Sequence, residues 1–238
     1  MLVPRIEVVE LLADAGFDAL VLDLEHGPYS VESLPPLVAA SRSAGAACLV
    51  RVAENWAQQI GAVLDIGADG VVVPNIQSEA SAAAVVAAAR FAPEGRRGAN
   101  PYVRAARYSA NETYLTTANA STVAIGMVEG KEGLDAVESI LGVGGLDAIL
   151  LGPVDMSMAL GVPGQPEHPT VLATMAGIVE RAQARGIATG VFAPTTEAAA
   201  RWLGLGVRFV AFSVDTALML AGFRDAVGAL RALTSEPM

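Results

Sequence analysis

Asp23-Leu24-Glu25-His26-Gly27-Pro28 sets two carboxylates and an imidazole almost side by side. An imidazole in that setting suits a general base near neutral pH; a structural role at a turn is the alternative for His26. Arg51 closes the apolar run Ala-Cys-Leu-Val-Arg. A guanidinium there needs an anion. Asp23 or Glu25 could supply it, and so could a substrate carboxylate, which the planar fork grips at two points. Glu129 and Asp155 each stand just beyond an apolar run. Two carboxylates at neighbouring strand ends suit a hard divalent cation such as Mg, Mn or Co, with water or substrate in the open positions. Each also suits the start of the helix that follows it. With His26 and Arg51 on the same rim, the cation reading takes precedence.

The rest of the composition narrows the chemistry. The 238 residues hold 15 basic residues, and Lys131 is the single lysine among them. An imine-forming lysine is normally buried within a strand, whereas Lys131 opens a helix. One cysteine excludes a disulfide within the chain, and Cys48 reads as core. Two histidines exclude a histidine-rich zinc cage. Of these, His168 precedes Pro169 and reads as a helix cap, while Trp56 and Trp202 read as packing. A net charge of -10 argues against nucleic acid or an anionic membrane as partner. The hydrophobic fraction of 53% promises a large core and burial between subunits. No apolar run reaches the ~20 residues of a membrane span, and the amino end carries no signal-peptide pattern. A cytoplasmic location is the resulting expectation.

These side chains must be carried by alternating elements. Ala19–Asp23, Ala47–Val52, Gly70–Val73, Thr122–Val128, Asp147–Leu151, Ile187–Phe192 and Arg208–Phe212 read as buried parallel strands. Helical spacing fills Val31–Ser43, Trp56–Ile66, Ser78–Arg90, Lys131–Leu141, Pro169–Arg185, Thr195–Leu203 and Asp215–Leu233. A short first strand at Met1–Val3 completes eight units. The fold class is therefore α/β, a (β/α)8 TIM barrel forming a single domain over residues 1–238. Barrel chemistry sits at the C-terminal strand ends. There the polar set is Asp23, Glu25, His26, Arg51, Glu129 and Asp155. The longest irregular stretch is Phe91–Tyr108, a length that points to function or an interface.

These segments resemble the HpcH/HpaI aldolase family of metal-dependent pyruvate aldolases, typified by 4-hydroxy-2-oxo-heptane-1,7-dioate aldolase. The resemblance rests on DLEHGP at 23–28, Arg51, LDIGADGVVVP at 64–74 and APEGRRG at 92–98. RAARY at 104–108, Val128-Glu129, LGPVDMSMALG at 151–161 and HP at 168–169 extend it over nearly the whole chain. It implies a phosphoenolpyruvate/pyruvate-type barrel and a homohexamer, a trimer of dimers that exchange the helix at about 215–233. It implies a divalent cation on Glu129 and Asp155, and an Arg51 that balances the pyruvate enolate. It implies His26 as base with Asp65 as its partner; the residues alone mark Asp65 only as a helix-end residue. Asp23 joins the catalytic set. Gly152, Val154, Asp155 and Met127 fall around the bound keto acid, with backbone N–H groups at Gly152–Asp155 facing its carboxylate.

The implied reaction is reversible cleavage of a 4-hydroxy-2-oxo acid to pyruvate and an aldehyde through a metal-stabilised enolate. Met127 stands where the family often carries Gln, Gly130 where it carries Ser or Thr, and Leu24 where some members have Gly. The first strand is nearly absent, either trimmed or a stub. Two other readings compete. A citrate-lyase-β-like CoA-ester lyase would use Arg96, Arg97, Arg104 and Arg107 for the CoA phosphates. A non-catalytic paralogue would hold a keto acid without turning it over.

Overall fold

The computed structural model describes residues 1–235. Its elements alternate as expected. Helix α1 (Ile6–Asp14) leads into β1 (Ala19–Asp23), α2 (Leu34–Ser43), β2 (Ala47–Arg51), α3 (Ala57–Ile66), β3 (Gly70–Val73) and α4 (Glu79–Ala89). There follow α5 (Tyr114–Ser121), β4 (Val123–Val128), α6 (Lys131–Asp135), α7 (Val137–Ile140), β5 (Ala148–Leu151) and α8 (Pro153–Ala159). Then come α9 (Pro169–Gln183), β6 (Ala188–Ala193), α10 (Thr196–Gly204), β7 (Phe209–Phe212) and α11 (Asp215–Ser235).

Local chemistry sets the boundaries. The Ser78 hydroxyl accepts from the Ser81 N–H and the Ser81 hydroxyl accepts from the Ser78 N–H, a reciprocal cap on α4. His168 Nδ1 accepts from the Thr170 N–H at 3.2 Å ahead of Pro169, so His168 is the cap the sequence suggested. Thr195 caps α10 in the same way. Gly67 ends α3 at φ 103°, where a side chain would be strained, and turns the chain into β3. Helices α1, α5 and α8 were not marked by the periodicity; each is short. The irregular stretch after α4 holds a 3₁₀ segment at Arg104–Ser109 with Arg107 and Tyr108 in left-handed conformation.

Seven parallel strands pair in chain order, from β1 to β7. Alternate residues face inward. Val72, Ile125, Met127, Ala148 and Leu150 fill the barrel interior with Val21, Leu49, Phe209 and Ala211. The opposite faces pack on the helices in a larger cluster. The expected eighth strand at Met1–Val3 does not form. The Met1 ammonium donates to the Val21 carbonyl at 2.5 Å, as a strand neighbour would. The N–H groups of Leu2 and Val3 instead go to the Asp215 carboxylate, so the ladder stops after one bond. The barrel is nearly closed, with a seam between β1 and β7. A cavity of about 550 Å³ lies there, lined by Ala19, Val21, Phe209 and Ala211.

Two further features bear on assembly. Leu220, Phe223, Val227, Leu230 and Leu233 of α11 stand in solvent. Among the described residues no helix is long and apolar enough to cross a membrane.

The end of the barrel opposite the strand C-termini is tied by Arg90, which is 4% exposed. It donates to the carbonyls of Asn119 and Thr122 and pairs with Asp147, whose carboxylate also takes the Ala124 N–H. One guanidinium thus joins the ends of α4 and α5 to the starts of β4 and β5. Replacing it takes a donor from two carbonyls and leaves the Asp147 carboxylate with the Ala124 N–H but without its cation. Arg90→Leu should cost roughly 3 kcal/mol. In a chain of this size that lowers Tm by about 6–12 °C in a thermal melt. An unchanged Tm would contradict the role.

Candidate active site

The register of β1 on β2 sets Asp23 beside Arg51. Both fall on the inward face, two residues beyond Val21 and Leu49. Asp23 accepts from Arg51 Nε at 2.9 Å and from Nη2 at 2.5 Å, a two-point grip. Arg51 Nη1 also pairs with Glu25 at 2.9 Å. Both intrachain anions that the sequence offered for this guanidinium are therefore in use. Asp23 does more: its Oδ1 accepts the N–H groups of Glu25 and His26 at 3.0 and 3.3 Å, so one carboxylate shapes the turn that carries the imidazole. The His26 ring itself is exposed and bonds to no group among the described residues.

Glu129 follows β4 and is 7% exposed. The Asn75 N–H donates to its Oε1 at 2.9 Å. Its other oxygen faces Gly152, and so does Asp155, in the first turn of α8. A Cβ on Gly152 would lie 2.8 Å from Glu129 Oε2 and 3.8 Å from Asp155 Oδ2. The two carboxylates converge on space that exists because residue 152 lacks a side chain. Met127 is buried one inward position below Glu129, against Leu150 and Val72. Val154 is exposed at the rim. Nothing in the spacing singled out Asn75, whose N–H acts through backbone geometry.

The electrostatics of this mouth are one-sided. Asp23 and Glu25 pair with Arg51, the charge of Glu129 also acts on it, and Asp155 lies beside Glu129. Burial pushes the Asp23 carboxyl up, but the hydrogen bond and charge of Arg51 hold it below the ordinary aspartate value. Glu25 is raised by burial against the pull of Arg51. Glu129 is raised by burial first and by the charges of Asp155 and Glu25, against the Asn75 N–H and Arg51. Arg51 is held above its usual value by Asp23 and Glu25, against burial. The site lacks positive charge.

Asp65 does not meet His26 within one chain. It lies in the last turn of α3, at the strand N-terminal end, whereas His26 follows the C-terminal end of β1. A strand of five residues separates these ends by roughly 15 Å. There Asp65 Oδ1 pairs with buried Arg97 at 2.6 Å. Arg97 also donates to the Tyr114 hydroxyl at 2.8 Å and lies 4.6 Å over the Phe91 ring. Asp65 Oδ2 meets no donor among the described residues. The arginine-rich stretch occupies this same end, remote from Glu129. With Arg97 buried and engaged, the CoA-phosphate reading loses one of its four cations.

The family model for HpcH/HpaI aldolase/citrate lyase matches residues 5–221. The chain is 36% identical over 219 residues to a pyruvate aldolase of Rhizobium etli, covering 92% of this chain and 86% of that protein. It is 37% identical to a 4-hydroxy-2-oxo-heptane-1,7-dioate aldolase of Salmonella dublin, covering 90% of this chain and 81% of that one. A crystal structure of an HpcH/HpaI aldolase/citrate lyase family protein from Burkholderia cenocepacia superposes with a TM-score of 0.93 at 33% identity. That likeness covers 97% of this chain and 92% of the other.

The raised Glu129 carboxyl has a consequence for stability. Its folded pKa lies above the ordinary 4.5, so the folded state holds this proton more tightly than the unfolded chain does. Metal-free protein therefore loses stability as pH rises through that window. Asp23 acts in the opposite sense, its contribution fading as pH falls through its lowered value. Glu129→Gln, which keeps an acceptor for Asn75, should melt higher than the parent in chelator at pH 8. The advantage should shrink at pH 5. A difference independent of pH would contradict the cause given.

Proposed function

Because this chain belongs to the HpcH/HpaI aldolase/citrate lyase family, we propose that it is a divalent-cation-dependent pyruvate aldolase. It would cleave 4-hydroxy-2-oxo acids reversibly to pyruvate and an aldehyde. The observation that carries this reading is the convergence of Glu129 and Asp155 on the space left by Gly152, beside an Arg51 fixed by Asp23.

The donor set fits a hard cation. Two oxygen ligands stand together, one of them buried and short of positive charge. Among the described residues no three potential ligand side chains gather, so substrate and water would fill the remaining positions. Mg, Mn and Co all suit such ligands. A bound cation supplies Lewis-acid polarisation of the keto acid.

The chain's own groups do the rest. Arg51 presents a fixed positive charge where negative charge develops on the keto oxygen as the enolate forms. Asp23 keeps that guanidinium from swinging onto Glu129. His26 takes the proton, from the pyruvate methyl in addition and from the C4 hydroxyl in cleavage. Gly152, Val154, Asp155 and Met127 shape the donor pocket, and the thioether at 127 offers the keto acid no hydrogen bond. A base of this kind needs an anion to orient its ring. The family pairing of His26 with Asp65 can only form between chains, with Asp65 of a second copy reaching the mouth. The apolar stripe on α11 suits that assembly, a homohexamer in which this helix is exchanged.

Purified protein should release pyruvate from 4-hydroxy-2-oxo acids, and EDTA should stop it. Glu129→Ala or Asp155→Ala should abolish release. Arg51→Ala should lower kcat by about 10²–10³-fold with the fold intact. An absence of EDTA-sensitive release from every such acid tested would sink the proposal. The shared dyad has its own check. His26→Ala and Asp65→Ala chains should each be inactive, and co-assembled mixtures should regain activity. Mixtures that stay inactive would show that the pair is not made between chains.

A further inference from the structure

The structure assigns a role to Tyr29, which neither the strand pattern nor the family motif marks. We infer that its hydroxyl is the positioning group for Asp23, and through Asp23 for Arg51 and His26. This rests on the aldolase reading of the site and deepens it.

Tyr29 lies at the seam. Within β1, the Leu24 N–H points toward β2 and donates to the Arg51 carbonyl. The N–H of Asp23 therefore points the other way, toward the side where no strand pairs. It donates to Tyr29 Oη at 2.7 Å. The same hydroxyl donates to the Met1 carbonyl at 2.8 Å. A phenol is thus spliced between two backbones that are too far apart to bond directly, and it completes the ladder at the point where the seam meets the catalytic turn. The far side of this link is also anchored. Asp215 is 4% exposed and binds the N–H groups of Leu2 and Val3 from the end of β7.

The ring is held as tightly as the hydroxyl. A Cβ on Gly27 would come within 2.6 Å of Tyr29 Cε1 and 2.0 Å of the Asp23 carbonyl oxygen, so the turn closes on the ring only with glycine there. Burial pushes the phenol up to about 12. It therefore stays protonated, donating to Met1 while accepting from Asp23, throughout neutral pH.

Asp23 is the residue through which this matters. Its backbone is fixed by Tyr29, and its carboxylate fixes both the Arg51 fork and the His26 N–H. Removing the hydroxyl lets the Asp23 peptide rotate, and the guanidinium follows the carboxylate. Arg51 is asked for charge stabilisation as the enolate forms, so the loss falls on kcat more than on substrate binding.

The test is Tyr29→Phe, read by exchange of the pyruvate methyl protons in D₂O with Mn²⁺ present, alongside a thermal melt. The expected result is a kcat lower by about tenfold with KM for pyruvate within about twofold of the parent, and a cooperative melt. A kcat equal to the parent's overturns the assignment, whatever the change in Tm. So does a raised KM with kcat intact. A variant without a cooperative melt makes Tyr29 a folding residue and overturns it too. A parent protein that exchanges no protons, with Mn²⁺ bound, overturns the aldolase reading and this inference with it. Exchange by the parent with no effect of Y29F overturns this inference alone.

Discussion

The Asp23–Arg51 pair is the interaction on which the rest of the mouth depends. It joins the ends of adjacent strands at two points, and it fixes a guanidinium that also pairs with Glu25 and feels the charge of Glu129. Burial raises the Glu129 carboxyl first, and the like charges of Asp155 and Glu25 add to it. Arg51 relieves part of that repulsion, but Asp23 and Glu25 already claim its donors. Among the described residues no cation pairs directly with Glu129 or Asp155, and the Asn75 N–H is the hydrogen-bond donor that reaches the Glu129 carboxylate. The proposed divalent cation would offset that imbalance, and Gly152 leaves open space between the two carboxylates. The charge of -10 over the whole protein is no obstacle, because screening confines the relevant field to a Debye length of about 10 Å.

The seam shows how much of a barrel is backbone accounting. A closed barrel satisfies every strand by its neighbours. Here β1 and β7 each keep an unpaired edge, yet the proposed chemistry lies at the top of β1. Side chains make good the missing ladder at that level. Asp215 accepts two N–H groups of the amino-terminal segment, and Tyr29 bridges the third contact. The cavity that remains runs along the seam from Phe17 and Ala19 to Met1 and Asp215, so these side chains border it rather than fill it.

The strands were legible because apolar runs buried on both faces leave little alternative, and their ends were legible because barrels place chemistry there. That logic singled out Asp23, Arg51, Glu129 and Asp155 before any likeness was used. Met1–Val3 was misjudged because an apolar tripeptide says nothing about who takes its N–H groups; Asp215, distant in sequence, takes two of them. Tyr29 was invisible for a related reason. Its role comes from the direction of the Asp23 N–H, which periodicity does not encode. Helices α5 and α8 were too short to show a period.

Asp65 illustrates a different limit, and it bears on how the molecule works. Asp65 lies just ahead of the helix-ending Gly67, at the strand N-terminal end, away from the His26 of the same barrel. The likeness to the family supplied the pairing without saying which chain provides each half. The structure gives both halves an unfinished character. Among the described residues no hydrogen bond reaches the imidazole, whose charge acts on neighbouring Glu25, and Asp65 has one oxygen paired with Arg97 and no donor on the other. Arg97 is itself buried, held by Tyr114 and stacked on Phe91, so the carboxylate is presented on a rigid support. Within one barrel Asp65 already supplies the anion that buried Arg97 requires, and its second oxygen stays open on that support. The proposed dyad would place another copy's imidazole there. On that proposal the two ends of one barrel would serve different active sites, and catalysis would be a property of the assembly.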